Sequence, residues 1–360
     1  MSTNHKNKKE VVFVGLSGGV DSSVSAKRLI DQGYTVVGVF IKTWQPDFLV
    51  CNWESERLDA MRVCAHLGIP FLMCDAVSAY KNEVAQYMID EYKNGRTPNP
   101  DVMCNQYVKF GVFLDFALAH GAHTIATGHY ARVQKIDGRY RLYRGQDVLK
   151  DQSYFLWTLT QAQLSRIYFP VGDTVKSMVR AEAQKSGLST SEKSDSQGIC
   201  FLGEIDIQEF LSHYVRVENG DVINEQSEVI GTHDGALFYT IGQRHGFSVE
   251  NSNSESTPYF VVAKNMDENT ITVSQNKKEL VGQSILLTQV HFTQGVCPTV
   301  CEAQFRYRQK PFRVQCTDMS DARVMLTIVD THIETPSLGQ SCVLYNGDEC
   351  LGGGIINEIV

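Results

Sequence analysis

The stretch GLSGGVDSS, residues 15–23, follows a buried apolar run and ends in a Ser-Gly-Gly turn before helical periodicity begins. Gly18 and Gly19 let the backbone turn tightly, so several amide N–H groups converge at a helix N-terminus whose dipole favours phosphate oxygens. Ser17 and Ser22 can donate hydroxyl hydrogen bonds to the same ligand. Asp21 can cap the helix or hold a magnesium ion beside pyrophosphate. The expected ligand is a polyphosphate. Neither the Gly-Lys-Ser/Thr ending of the ordinary P-loop nor the G-x-G-x-x-G of dinucleotide folds is present. A Gly-Gly turn with a Ser/Asp cap and no ligand is the structural alternative.

Two cysteines offer a second kind of chemistry. Cys104 stands three positions after Asp101 in GRTPNPDVMCNQYVKF, ahead of an expected helix. Near a helix start a thiol ionises more readily, and a carboxylate there can take a proton. Cys200 ends the polar run EKSDSQGIC, a poor place for a packing side chain. Each cysteine also has an ordinary reading as buried apolar filler. Zinc fits less well: neither lies in a C-x-x-C pair, and Cys297 with Cys301 or Cys342 with Cys350 has unconvincing ligand spacing.

The elements that must position these groups alternate. Residues 11–15 read as a strand, 21–32 as a helix and YTVVGVFIKTW as the next strand; helix 54–67 leads through Gly68 and Pro70 into the strand FLMCDA. Helices near 80–94 and 108–120, the strand HTIATG, a helix start at 161–165 and VKSMVRAEAQKSGL stopped by Gly187 continue the series. Such alternation favours a parallel sheet covered by helices on both faces. After about residue 212 the texture turns to hairpin candidates, GDVINEQSEVIGTHDG and KNMDENTITVSQN, with a loop seam at 251–258. From about 280, EAQFRYR, FRVQCTD and RVMLTIVD predict an antiparallel barrel or sandwich. The fold class is therefore α/β, followed by mainly β material.

With 360 residues, 42% apolar, the chain has material for more than one core. Lys plus Arg is 33 against Asp plus Glu at 41, a formal charge of -8, which disfavours a nonspecific nucleic-acid coat but leaves room for local basic patches. No apolar run is long enough to span a membrane. The polar start MSTNHKNKKE argues against a signal peptide, and ten scattered cysteines suit a reducing compartment, so a cytoplasmic location is expected.

SGGVDS resembles the PP-loop of ATP pyrophosphatases, which split ATP between its α and β phosphates and adenylate a substrate oxygen. Taken together with GVFIKTW, TPNPDVMCN, ATGHYARV, KDQSYFL, SDSQGICF, GQRHG and CLGGGII, the chain resembles the bacterial tRNA 2-thiouridylases over nearly its whole length. The resemblance implies a parallel-sheet PP-loop domain of the adenine nucleotide alpha hydrolase type (1–212), a small central domain (213–278) and a C-terminal β-barrel (279–360). It implies ATP contacts at Gly15, Leu16, Ser17, Gly18, Gly19, Val20, Asp21, Ser22, Ile41 and Gly128, with Mg2+ near Asp21 and no permanent prosthetic group. Ile41 stands where the family commonly has Met.

By the same resemblance Cys200 carries a persulfide, Cys104 is the partner thiol that closes a transient disulfide with it, and Asp101 is the catalytic carboxylate. The tRNA contacts fall on Asn99, Pro100, Asp101, His129, Lys150, Asp151, Gln152, Arg306, Tyr307 and Gln340. The implied partners are the tRNAs for Lys, Glu and Gln, thiolated at the wobble uridine, with a cysteine desulfurase and a sulfur-relay protein as sulfur source; a monomer is expected. The bland readings are a surface histidine at His129, a solvated turn at 150–152 and a helix-capping role for Asp101.

Two weaker basic signals remain. FRYRQK, residues 305–310, on an alternating strand would set Arg306 and Arg308 on one face. Lys176, Arg180 and Lys185 could meet a tRNA arm or simply solvate a helix. The competing functions are a PP-loop ligase or amidotransferase acting on a small metabolite, which leaves the cysteine pair idle, and a noncatalytic RNA-binding module, which leaves SGGVDS unexplained.

Overall fold

A computed structural model describes residues 10–49, 53–195, 198–203, 205–250, 257–276, 279–280, 283–331 and 333–360. Most of the amino-terminal tract, positions 251–256 of the loop seam, and Ser196 and Gln197 of the run before Cys200 lie outside the described residues.

The first elements follow the alternation. They are β1 (Val11–Gly15), α1 (Val20–Asp31), β2 (Thr35–Lys42), α2 (Trp53–Leu67) and β3 (Phe71–Asp75). A helical run then joins α3 (Val77–Ala79), a π-helical stretch (Tyr80–Ala85) and α4 (Gln86–Lys93). A second run joins α5 (Pro100–Met103), another π-helical stretch (Cys104–Val112) and α6 (Phe113–Ala119). The helix expected over 108–120 thus begins earlier, with Pro100 at its first position, where a missing N–H costs nothing. Next come β4 (Thr124–Ala126), a hairpin of β5 (Ala131–Ile136) and β6 (Arg139–Arg144), α7 (Gln161–Leu164), β7 (Ile167–Tyr168) and α8 (Lys176–Lys185). The sequence reading had no place for the hairpin, which pairs with Glu349 and Cys350.

Five of these strands form a parallel sheet in the order β3-β2-β1-β4-β7. Val12, Val14 and Phe40 are buried in it, and Val24, Leu29, Ala60 and Val63 pack from α1 and α2. Burial on both faces is why these strands read as continuous apolar runs. Because β2 and β4 flank β1, the strand order reverses there, and the loops after β1 and β4 meet at the carboxyl edge, the usual ligand position in open α/β sheets.

The remaining chain is mainly β. It comprises α9 (Ile207–Ser212), β8 (Gly220–Ile223), β9 (Val229–His233), β10 (Phe247–Val249), β11 (Phe260–Asn265) and β12 (Thr270–Ser274), the strands ordered β10-β9-β8-β12-β11. Asp206 caps α9 through the amides of Gln208 and Glu209 at 2.7 and 3.2 Å. Then follow β13 (Glu279–Leu280), β14 (Ser284–Phe292), β15 (Val300–Gln304), β16 (Phe312–Asp318), β17 (Val324–Ile328), β18 (Ile333–Glu334), β19 (Ser341–Asn346) and β20 (Glu349–Ile359). The order β14-β17-β16-β15-β19-β20, with β20 pairing back to β14, closes a barrel.

Two compact units emerge. One holds Met1–Val84, Asp101–Gly203 and Asp348–Leu351; the other holds Ala85–Pro100, Glu204–Gly347 and Gly352–Val360. Among the described residues no helix is long and apolar enough to cross a membrane.

Candidate active site

The phosphate loop is shaped by what its side chains leave out. Gly18 has φ +71°, and a Cβ there would lie 2.7 Å from the Glu56 carbonyl oxygen. Gly19 takes the N-cap position of α1 in extended conformation with no side-chain cap, so the first-turn amides stay open to an anion. The Ser22 hydroxyl donates to the Gly19 carbonyl at 3.1 Å and accepts from the Ser17 amide at 3.3 Å, bracing the turn. Gly128, just after β4, abuts this turn: a Cβ there would lie 2.7 Å from the Ser22 nitrogen and 2.9 Å from the Asp21 Cβ. Leu16 and Val20 are buried in the core, Ile41 is buried on β2, and a Cβ on Gly15 would press on the Phe113 ring.

Asp21 does not cap α1. Its carboxylate accepts from the Tyr130 hydroxyl at 2.7 Å and from Lys176 Nζ at 2.6 and 2.7 Å. Buried Lys176 also meets Asp195 at 2.8 Å, and Asp195 in turn holds Lys150 at 2.6 Å and Arg180 at 2.7 Å. Burial opposes the charge on Asp195, but hydrogen bonds from Lys150 and Lys176 outweigh it and pull the carboxyl down to about 2. Lys176 and Arg180 are therefore not the outward-facing RNA contacts the helix pattern suggested; of that trio only Lys185 is exposed. Arg180 also donates to the Ser191 and Lys193 carbonyls, fixing the strap that leads toward Cys200.

No group of three or more His, Cys, Asp or Glu suited to a metal occurs among the described residues. With both Asp21 oxygens on Lys176, the residues present do not fit a magnesium held by the protein alone.

The thiol pair lies in the same unit. Cys104 opens the second π-helical stretch, fully buried, and its Sγ donates to Cys200 Sγ across 3.4 Å. Both thiols are free, so the disulfide the resemblance implied is not formed here. Asp101 accepts from the Cys200 amide at 2.9 Å, and Tyr80, without solvent exposure, donates to the Cys200 carbonyl at 2.7 Å. Asp101 thus fixes the Cys200 backbone, beyond the capping role considered for it. Burial pushes its carboxyl above the ordinary range, against the pull of the Cys200 amide and Lys109.

The two sulfurs are driven apart in acidity. The hydrogen bond from Cys104 lowers the Cys200 thiol against the cost of burial, with help from Lys109. Burial, then the bond to Cys200, pushes Cys104 well up. Of the two, Cys200 is therefore the sulfur that gives up its proton first and Cys104 the one that keeps it.

His129 is no surface residue. It is buried beside Phe110 and Phe169, with Nδ1 2.7 Å from Thr127 Oγ1 and Nε2 3.4 Å from Lys109 Nζ. Burial and Lys109 hold it neutral, so Nε2 accepts from the ammonium.

The expected RNA contacts divide. The Asp151 carboxylate faces inward to the Gly145 and Ser153 amides, the Ser153 hydroxyl and Arg144, so this side chain is not presented to RNA. Gln152 accepts from the Tyr130 amide at 3.0 Å. In the other unit, FRYRQK is a turn and not a strand. Gln309 folds its side chain onto the Phe305 and Arg306 amides, Arg308 has φ +62°, and its guanidinium lies 5.0 Å from the Tyr307 ring. Arg306 reaches the Ile241 carbonyl at 3.0 Å. Gln340 donates to the Thr97 and Pro98 carbonyls at 2.9 and 3.2 Å, and Asn99 is buried beyond them. Pro100 is half-buried at the start of α5.

Sequence reasoning passed over Lys109, Tyr80 and Asp195 and misassigned Lys176. A usable signal existed for Lys176 alone: a lysine in the first turn of a helix opposes the dipole and needs an acidic partner.

A phosphate cradle at a switch point, with a two-thiol centre in the same unit, defines a PP-loop α/β enzyme equipped for sulfur chemistry. Residues 10–204 match the family described as tRNA methyl transferase HUP domain, 208–275 the PRC-barrel domain of the same series, and 282–356 the aminomethyltransferase beta-barrel domain. The chain is 45% identical over 355 residues to the tRNA-specific 2-thiouridylase MnmA of Geobacillus thermodenitrificans, covering 97% of this chain and 95% of that protein. It is 44% identical over 356 residues to that of Bacillus velezensis, with the same coverage. A solved 4-thiouridine synthetase in complex with RNA and ATP overlaps 57% of this chain and 50% of that one at 19% identity and a TM-score of 0.38, too little to bear on the fold. The chain belongs to the MnmA family of tRNA-specific 2-thiouridylases.

Proposed function

We propose that the cradle and the thiol pair divide the ATP-dependent 2-thiolation of a tRNA wobble uridine between them. The uridine C2 oxygen is a poor leaving group. At the turn of residues 15–22 it attacks the α-phosphorus of ATP, pyrophosphate leaves, and the adenylated oxygen becomes a good leaving group. The open first-turn amides of α1, Gly128 and Ile41 are the residues suited to hold the nucleotide. Magnesium comes with the phosphates as part of the substrate, since the carboxylate nearest the loop already holds Lys176.

Sulfur reaches the site as a persulfide on Cys200, from a cysteine desulfurase through a relay protein. Its outer sulfur attacks C2, and AMP departs with the former O2. Cys104 then attacks Cys200 Sγ, which frees 2-thiouridine and leaves a Cys104–Cys200 disulfide for a two-electron reductant to reopen. In the other order, Cys104 first releases sulfide, which attacks C2; both orders need the two thiols together. Asp101 positions Cys200 through its amide.

The substrates are the tRNAs for Lys, Glu and Gln, held by Lys150, Gln152, His129 and the segment of Asn99 and Pro100 in one unit or the other, and by Arg306, Tyr307 and Gln340 at the barrel. The three-part division at 1–212, 213–278 and 279–360, a monomeric state, the lack of a permanent prosthetic group and a cytoplasmic setting complete the reading.

The 3.4 Å approach of Cys104 and Cys200 in the unit that holds the phosphate loop carries it. The test is nucleoside mass analysis of tRNA after incubation with reduced protein, ATP, magnesium and a persulfide donor. Exchange of oxygen for sulfur confined to the wobble uridine is expected. ATP cleavage with no sulfur in the tRNA, while the donor passes its own control, would defeat it. Pyrophosphate release driven by a small metabolite instead of tRNA would favour the ligase reading.

A further inference from the structure

The groups facing the two sulfurs come from several elements. Tyr80 lies on the first π-helical stretch, Asp101 on α5, Cys104 and Lys109 on the second π-helical stretch, and His129 follows β4. Of these, Lys109 is the one cation. Tyr80 directs its hydroxyl to the Cys200 carbonyl and Asp101 its carboxylate to the Cys200 amide. Cys104 offers only a weak S–H, and neutral His129 accepts from Lys109.

Lys109 is five residues beyond Cys104 in a stretch wound with i→i+5 hydrogen bonds, which puts it on the same side as the thiol. Its Nζ lies 3.4 Å from His129 Nε2 and 5.8 Å from the centre of the ring of Phe201, the residue that follows Cys200, close enough for its charge to act on the Cys200 sulfur. A lysine in such a place normally loses its proton to burial. Here burial is outweighed by Cys200, Cys104 and Asp101, so its pKa is raised and it remains an ammonium.

We propose that Lys109 is the fixed counter-ion of the transferable sulfur, stabilising negative charge on Cys200 Sγ before loading and on the outer sulfur afterward. This rests on the assignment of Cys200 as the sulfur carrier. In loading, the Cys200 thiolate attacks the outer sulfur of a donor persulfide R–S–SH. The Cys200 S–S bond forms as the donor S–S bond breaks, and RS⁻ leaves. The proton on the transferred sulfur passes to RS⁻, leaving Cys200–S–S⁻ with no net oxidation. Lys109 gives up no proton at any stage. His129, a base too weak to compete, orients the ammonium, and Phe201 supplies a cation–π face.

The test needs neither tRNA nor ATP, so its failure is separable from failure of the thiolation reading. Reduced protein is alkylated with iodoacetamide between pH 5 and 10, and modification of Cys200 is followed by peptide mass spectrometry. The wild type should show a midpoint below that of an ordinary thiol. Lys109→Met should raise it by about one unit or more and cut alkylation of Cys200 at neutral pH about tenfold. Lys109→Arg, which keeps the charge, should recover most of the rate. A wild-type midpoint at or above the ordinary thiol value overturns the proposal, and this arm does not depend on any variant folding. So does a Lys109→Met protein that melts cooperatively and titrates like the wild type.

Discussion

The phosphate loop and the thiol pair, two regions of one compact unit, are built by opposite means. The loop is local and steric. Its residues are adjacent in sequence, its polar groups are mostly backbone, and its form depends on absent side chains at Gly18 and Gly128. The thiol pair is remote and electrostatic: Tyr80, the Asp101–Cys104 turn, His129 and Cys200 come from separate segments, and the Cys104–Cys200 hydrogen bond, burial and the Lys109 ammonium together set which sulfur ionises first. Added volume should therefore break the first site, and altered charge or nucleophile the second, each sparing the other.

The largest separation is expected from Cys200→Ser. Thiolation should vanish in nucleoside analysis while tRNA-dependent pyrophosphate release persists; sulfur transfer retained by this variant would remove the distinction between the regions. Gly128→Ala should act in reverse. Its methyl would press on Ser22 and Asp21, and a displacement near 1 Å at a reacting centre costs about a hundredfold in rate. Pyrophosphate release should fall by that order while alkylation of Cys200 changes little.

Lys176→Met tests the cation that ties the phosphate loop to Asp195, since it leaves Asp21 without its ammonium and takes one of three cations from Asp195. A stability loss of about 3 kcal/mol by urea unfolding is expected, with weaker ATP use. Asp195→Asn is milder and carries a pH signature. The carboxyl lies at about 2 in the folded chain, below its ordinary value, so its contribution is complete above about pH 4 and lost as pH falls toward 2. The variant should be less stable than wild type by about 2 kcal/mol at pH 6, with the gap closing in acid.

The same contrast explains what could be read from the chain. The phosphate loop, the parallel sheet and the start of α1 were legible because each depends on neighbours in sequence. Cys104 and Cys200 could be singled out by their polar settings and by resemblance, but their 3.4 Å approach depends on packing between distant segments. Lys109 was invisible because α-helical periodicity places it away from Cys104; only π winding brings them together. Lys176 looked like a solvating residue on an amphipathic helix until acidic partners from two other segments met it. At FRYRQK the alternation was real, but the Gln309 side chain turns the backbone through positive φ at Arg308, a tertiary choice that period-two patterning does not register.

The winding between Cys104 and Val112 also sets a rule for how the chain can vary in length. An i→i+5 stretch accommodates one residue more per hydrogen-bonded loop than an α-helix. Deleting one residue between Cys104 and Lys109 would let the stretch tighten to α winding with the ammonium at i+4, still on the side of the thiol, whereas inserting one would carry the ammonium around the axis, away from the sulfurs. Such a chain could keep its sheet, its phosphate loop and both cysteines, and still be a poor sulfur carrier. Across homologues the spacing between these two residues should therefore resist insertion more strictly than the surrounding helix.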